Sequence, residues 1–82
     1  MTPSEIRSLL IESVARYTDT DAQEIDPGYP FIDYGLDSVA AVLLSADLED
    51  RLGIEIRPTV AWDFPTIEKL AAHLAEQVPA AG

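Results

Sequence analysis

The sequence predicts an all-α fold: a small four-helix bundle of three main helices and one short one, with a long loop between the first two. Three observations carry that prediction. Apolar residues recur at helical spacing in three separate segments, each bounded by start or stop signals. The one segment that alternates like a strand, Ile54-Glu55-Ile56-Arg57, has no second strand to pair with. The chain's 82 residues suffice for one small domain, which hides about 60% of the surface its unfolded chain exposes and has no room for a deep catalytic cavity. Residues 1–82 are therefore read as a single unit with its core at about 3–78.

The first helix is expected over residues 3–17. Thr2 can cap it, Pro3 suits the first helical position, and Glu5 stands three after the cap to complete a capping box. Ile6, Leu9, Leu10, Val14 and Tyr17 then form its apolar stripe. From residue 18 to residue 37 the pattern dissolves into Asp, Pro, Gly and Tyr. A loop of that length is usually functional or internally packed, and Ile25, Phe31 and Ile32 are the residues expected to pin it to the core. A calcium loop starting at Asp19 would need Gly at its sixth position and Glu at its twelfth, where Glu24 and Pro30 stand, so no metal site is assigned. The second helix runs over 38–52 and is stopped by Gly53. Residues 54–57 form an extended connector and 58–63 a short turn of helix. Pro65-Thr66 opens the last helix, which carries Ile67, Leu70, Ala71, Leu74 and Val78 on one face and His73 at the surface. Residues 79–82 form a loose tail.

Composition narrows the function. An apolar content of 48% fits a folded chain rather than a disordered one. The absence of cysteine excludes a disulfide scaffold, a thiolate metal site and a protein-thiol nucleophile, so any thiol chemistry must come from a cofactor. No signal-peptide pattern and no run of membrane-spanning length are present, which places the chain in the cytoplasm and off the membrane. Met1 followed at once by a capping box favours a free-standing chain or a deliberately bounded piece. The formal charge of −10 argues against nucleic acid, whose phosphates demand Lys and Arg, and favours partners with basic surfaces. The charge is concentrated. Residues 17–50 hold nine acids and no Lys or Arg, whereas the rest of the chain sets six acids against five bases. That distribution describes an interaction field better than a uniformly solvated surface.

The second helix carries the chemistry. At about 100° per residue, Ala41, Leu44, Leu48 and Leu52 make a core stripe, while Val39, Leu43 and Ala46 lie opposite with Asp50. A helix with two opposed apolar faces is either sandwiched or offers one face to a partner, and a bundle this small cannot easily bury both. Ser38 begins this helix. On its own it reads as a capping residue. A catalytic role needs a general base in reach, and the sole His, His73, falls on another helix with no carboxylate relay, so no catalytic residue is assigned. As the substrate of another enzyme it is well placed: a primary hydroxyl beside acids and a spare apolar face.

Gly35-Leu36-Asp37-Ser38-Val39 resembles the G-x-D-S-L signature of acyl carrier proteins, with Val in place of the usual Leu. Pro30-Phe31-Ile32-Asp33-Tyr34-Gly35 looks like the approach to that signature. Asp63-Phe64-Pro65-Thr66-Ile67, followed by Leu70-Ala71 and His73-Leu74, is similar to the end of carrier domains in modular polyketide synthases. Three segments in order at family spacing are a specific signal. The resemblance implies a four-helix carrier without enzymatic activity. Its Ser38 would receive 4′-phosphopantetheine covalently from coenzyme A, by a separate magnesium-dependent phosphopantetheinyl transferase. The arm's thiol would then hold acyl groups as thioesters for polyketide or fatty-acid biosynthesis. It further implies that Asp37 meets a basic residue of the transferase, and that Val39, Leu43, Ala46, Asp47 and Asp50 form the recognition surface. The implied partners are that transferase, an acyltransferase or acyl-activating ligase, a ketosynthase and other pathway enzymes with basic surfaces, met by a monomer. Asp before Ser38 and the acidic middle look more like an acyl carrier than a peptidyl carrier of nonribosomal synthesis. A small acidic interaction module, with Ser38 only a helix cap, is the reading from another class.

Overall fold

The computed structural model describes residues 2–78, so Met1 and the expected tail at 79–82 lie outside the described residues. Four helices follow one another: α1 over Pro3–Thr18, α2 over Ser38–Leu52, α3 over Val60–Asp63 and α4 over Ile67–Gln77. No strand occurs among the described residues; 54–57 run as the connector between α2 and α3.

Each main helix starts where its sequence says it should. Thr2 Oγ1 accepts from Glu5 N–H and Glu5 Oε1 accepts from Thr2 N–H, both at 3.2 Å, so the capping box satisfies two otherwise orphaned donors. Hydrogen bonding to the Thr2 backbone N–H, and then to its side chain, holds the Glu5 carboxyl below the usual glutamate value. Thr66 caps α4 through Lys69 N–H at 3.2 Å. Gly53 ends α2 with φ 68°, a left-handed conformation that glycine adopts without steric cost.

The core joins all four helices. Ile6, Leu10 and Val14 of α1, Ala41, Leu44 and Leu48 of α2, Val60 and Ala61 of α3, and Ile67, Leu70 and Leu74 of α4 are buried together. Leu9, Tyr17, Leu52 and Val78, expected in the stripes, pack only partly against this cluster, and Val78 stands just past the end of α4. Ser13 and Ser45 are buried although polar; Ser45 Oγ is satisfied by the Ala41 carbonyl at 2.8 Å, one turn back.

The long loop is not structureless. It contains two 3₁₀ turns, Ala22–Glu24 and Phe31–Tyr34. Ile25 and Phe31 are buried as expected, but Ile32 is not: it stands 66% exposed, and Leu36 takes the core position instead. The cause is local geometry. Three residues per turn carry Ile32 about 120° round from Phe31. Gly35, at φ 79°, then reverses the chain and returns Leu36 to the interior. The loop is also fastened from outside. Phe31 N–H donates to Pro65 O at 2.8 Å and Glu68 N–H donates to Pro27 O at 3.1 Å, tying it to the start of α4. Tyr34 Oη accepts from Asp26 N–H and donates to Asp26 O, closing the loop on itself. The residue leading into α2 is therefore held from two sides.

Candidate functional site

Asp37, not Ser38, caps α2. Its side chain accepts from Ala40 N–H at 2.8 Å, and its carbonyl accepts from Ala41 N–H at 2.9 Å. The capping role that a serine before an apolar run ordinarily takes is thus already filled, and Ser38 becomes the first helical residue. Ser38 is exposed, and its hydroxyl makes no hydrogen bond among the described residues. The backbone N–H groups of Ser38 and Val39 also find no protein acceptor there, as the first turn of a helix requires. The result is a free primary hydroxyl at the positive end of a fifteen-residue helix.

The two faces of α2 are sharply different. Leu44 and Leu48 are 0% exposed, whereas Val39 is 69% and Leu43 50% exposed. Ala46 and Asp50 are exposed on the same side. Val42, which belongs to neither stripe, joins this face. Its position midway between the two stripes hides it from a simple two-face reading. Trp62 of α3 is exposed as well, and nothing in the sequence separates it from an ordinary core aromatic. Asp47 differs from its neighbours: its Oδ1 pairs with Arg51 Nε at 3.1 Å, and the side chain is only partly accessible. Val39, Leu43, Ala46 and Asp50 therefore share one open face of α2, Asp37 is exposed at its N-cap, and Asp47 stands at the edge of the face, engaged within the helix.

The electrostatics match the charge map. Of the nine acids between residues 17 and 50, Asp47 and Glu49 are half-buried and the other seven are exposed. Two ion pairs form among the described residues, Arg7–Glu68 and Arg51–Asp47, so most of the acidic field is uncompensated. His73, expected at the surface, is half-buried on α4 and stacked on Phe64 with ring centroids 4.0 Å apart. Packing against an aromatic ring, rather than chemistry at Ser38, accounts for its place. No helix among the described residues is long and apolar enough to cross a membrane.

Comparison with known proteins bears on the same residues. The chain matches the family described as "phosphopantetheine attachment site" over residues 8–74. It is 36% identical over 76 residues to one component of the phenolphthiocerol/phthiocerol polyketide synthase of Mycobacterium tuberculosis, an alignment that covers 93% of this chain and 4% of that protein. The chain thus spans only a few per cent of the length of such relatives. Among solved structures, it is similar to a free-standing peptidyl carrier protein from an uncharacterized Acinetobacter baumannii secondary metabolic pathway. There the TM-score is 0.88 and the identity 37%, over 93% of this chain and 95% of the other. It is also similar to an acyl carrier protein from Anabaena sp. PCC 7120 with a variant phosphopantetheinylation-site sequence. That match has a TM-score of 0.84 and 36% identity, over 95% and 89% of the two chains.

Proposed function

The chain belongs to the phosphopantetheine-attachment family of carrier domains, which are not themselves catalytic, and on that premise we propose that Ser38 is its attachment residue and that it serves polyketide assembly. The observation that carries this reading is the free, exposed hydroxyl at the first residue of α2, with the capping duty taken by Asp37.

The residues present fit the group. A phosphodiester on Ser38 Oγ would sit beside the unpaired N–H groups of Ser38 and Val39, where a helix start favours an anion. When bound, the arm supplies the terminal thiol that a cysteine-free chain lacks, and that thiol holds acyl groups as thioesters. Attachment forms one bond, Ser38 Oγ to phosphorus, and breaks one, the pyrophosphate link of coenzyme A, releasing adenosine bisphosphate. The sole histidine, His73, is stacked on Phe64 and makes no hydrogen bond to the Ser38 hydroxyl, so no histidine base is paired with it among the described residues. A phosphopantetheinyl transferase must supply that base, with magnesium to balance the phosphate charge.

Asp37 holds the helix start in place and offers a carboxylate to that enzyme. Val39, Leu43 and Ala46 supply an apolar contact, and Asp50 a rim charge; Asp47, tied to Arg51, contributes less. The acidic field from residue 17 to residue 50 steers basic enzymes towards this face. An acyltransferase or acyl-activating ligase and a ketosynthase, working in the cytoplasm, are the further partners the reading implies. The curated relatives support polyketide over peptidyl loading.

Intact mass after incubation with coenzyme A and a broad-specificity transferase tests the assignment. The wild type gains one phosphopantetheine and Ser38→Ala gains none while keeping its helical circular dichroism. A modified Ser38→Ala protein would sink it. Loading of the holo form by an amino-acid-adenylating enzyme, and not by an acyltransferase, would move the domain to peptide synthesis.

A further inference from the structure

We propose that the Tyr34 hydroxyl positions Ser38 for loading: by bonding both backbone groups of Asp26 it fixes the turn that presents the attachment hydroxyl, an inference that rests on Ser38 being the attachment residue. That turn needs fixing from outside. Gly35 joins the Phe31–Tyr34 turn to Leu36, Asp37 and Ser38 at φ 79°. Glycine reaches that conformation without steric cost, and for the same reason it leaves it easily. A Cβ at Gly35 would meet nothing within 4 Å, so no neighbour presses the backbone into shape there. The local bonds are modest. Gly35 N–H donates to Ile32 O at 3.1 Å, and Leu36 N–H to Phe31 O at 3.4 Å, longer than the usual range. Burial of Leu36 anchors one side of this hinge, and the Tyr34 hydroxyl anchors the other.

The anchor point is itself immobilised on both sides. Ile25, just before Asp26, is buried in the core. Pro27, just after it, accepts from Glu68 N–H in the first turn of α4 at 3.1 Å. Asp26 Oδ1 also accepts from Gly28 N–H at 2.9 Å, which shapes the backbone locally. Tyr34 Oη accepts from Asp26 N–H and donates to Asp26 O at 3.0 Å. Two bonds from one hydroxyl to one residue set an orientation as well as a distance. The Tyr34 ring packs partly buried against the core, a task that Phe would serve equally. The hydroxyl therefore has a separate role, and that role is the clamp.

Three residues separate Tyr34 from Ser38, so a rotation at Gly35 is passed on to Asp37 and to the start of α2. Attack on phosphorus requires the oxygen at about 3–3.5 Å and in line, and small misplacements are costly in rate. The docking residues Val39, Leu43, Ala46 and Asp50 lie beyond Ser38 on a helix held by buried Leu44 and Leu48. Loosening the turn should thus slow transfer within the enzyme complex and leave the affinity for that complex alone. A net hydrogen bond shifts a population by roughly two- to tenfold, which sets the size of the effect.

Single-turnover loading with coenzyme A and excess phosphopantetheinyl transferase reads the transfer rate and the half-saturating transferase concentration separately. Tyr34→Phe, which keeps the ring, should slow transfer about two- to tenfold at unchanged half-saturation. Amide hydrogen exchange at Asp26 and Gly35 should speed up by a similar factor. Thr2→Ala is the control for stability: it removes the α1 cap, touches nothing in the loop, and should transfer at the wild-type rate. Wild-type transfer by Tyr34→Phe overturns the proposal, as does slow transfer without faster exchange. A higher half-saturation at an unchanged rate overturns it by making Tyr34 part of the docking surface. Equal slowing by Thr2→Ala overturns it by reducing the effect to overall stability. A wild type that gains no mass, or a Ser38→Ala protein that does, refutes the attachment reading and the positioning role with it, while exchange at Asp26 still reports the clamp.

Discussion

Leu43 and Leu44 are neighbours of identical chemistry on opposite faces of α2, which makes them a direct test of how the helix is divided. Leu44 is 0% exposed and belongs to the core cluster, so truncation removes its transfer energy and leaves a cavity. That costs ~2–5 kcal/mol, against a total stability on the order of 5 kcal/mol or somewhat more for a small domain. At about 4–8 °C per kcal/mol for a chain of this size, a loss of ~3 kcal/mol lowers Tm by roughly 12–24 °C. Leu43 is 50% exposed, so half of its surface already meets water. Its truncation forfeits at most about half of the ~2 kcal/mol that full burial is worth, a shift in Tm of no more than about 8 °C. Loading by the transferase should respond in the opposite order. Leu43→Ala, still folded, should load severalfold more slowly, and by about tenfold if the lost contact is worth ~1.4 kcal/mol. Thermal melts by circular dichroism and one loading rate per variant decide the matter. Equal destabilisation by the two changes would refute the division of α2 into a core face and a free face.

Three further outcomes can be checked on the same protein. Asp37→Asn keeps an acceptor for Ala40 N–H and should melt near wild type, while Asp37→Ala loses the cap and about 1 kcal/mol, or ~4–8 °C. Both should load slowly if the carboxylate meets the transferase, so normal loading of Asp37→Asn would remove that role. Asp50→Lys should slow loading more than Glu76→Lys, and the difference should shrink as salt shortens the screening length to ~8 Å and below; equal effects would mean that net charge alone matters. Glu5 should titrate below the usual glutamate value because the Thr2 N–H bonds its charged form. With a depressed folded-state value, its support for α1 is complete above the unfolded carboxylate range and is lost as pH falls through the folded value. An NMR titration of Glu5 with an ordinary midpoint would mean that the capping box does not form in solution.

Most of the architecture is legible in the sequence because it rests on local signals. Capping box, glycine stop and helical apolar spacing each act within a few residues, and α1, α2 and α4 follow them. The loop is legible only in part. Ile25 and Phe31 announce burial by being apolar, but Ile32 is equally apolar and faces outward. The choice between Ile32 and Leu36 is made by a 3₁₀ turn and by Gly35 in a left-handed conformation. The helix bounds at 38–52 are legible, but the cap is not: Asp37 and Ser38 are both good caps by type, and the structure gives the role to Asp37. Val42 and Trp62 are invisible to periodicity because exposure between two stripes, or on a four-residue helix, is set by tertiary neighbours. The half-burial of His73 is hidden likewise, since its stacking partner Phe64 lies nine residues earlier, beyond the start of α4.

An open apolar face on a small domain would ordinarily invite self-association. Here the face lies within the segment that holds nine acids and no Lys or Arg, and seven of those acids are exposed. Two copies meeting through Val39 and Leu43 would bring their acidic fields together and lose in repulsion what they gained in burial. An enzyme with a basic rim meets no such penalty, so the same carboxylates that forbid the homotypic contact favour the heterotypic one. On the proposed reading, charge is the selector and the apolar residues are the anchor. This division lets α2 leave Val39, Val42 and Leu43 uncovered while its opposite stripe, with Leu44 and Leu48 fully buried, holds the fold. It is also the reason the domain is expected to stay monomeric at moderate salt and to lose that protection first when the screening length becomes shorter than the spacing between its carboxylates.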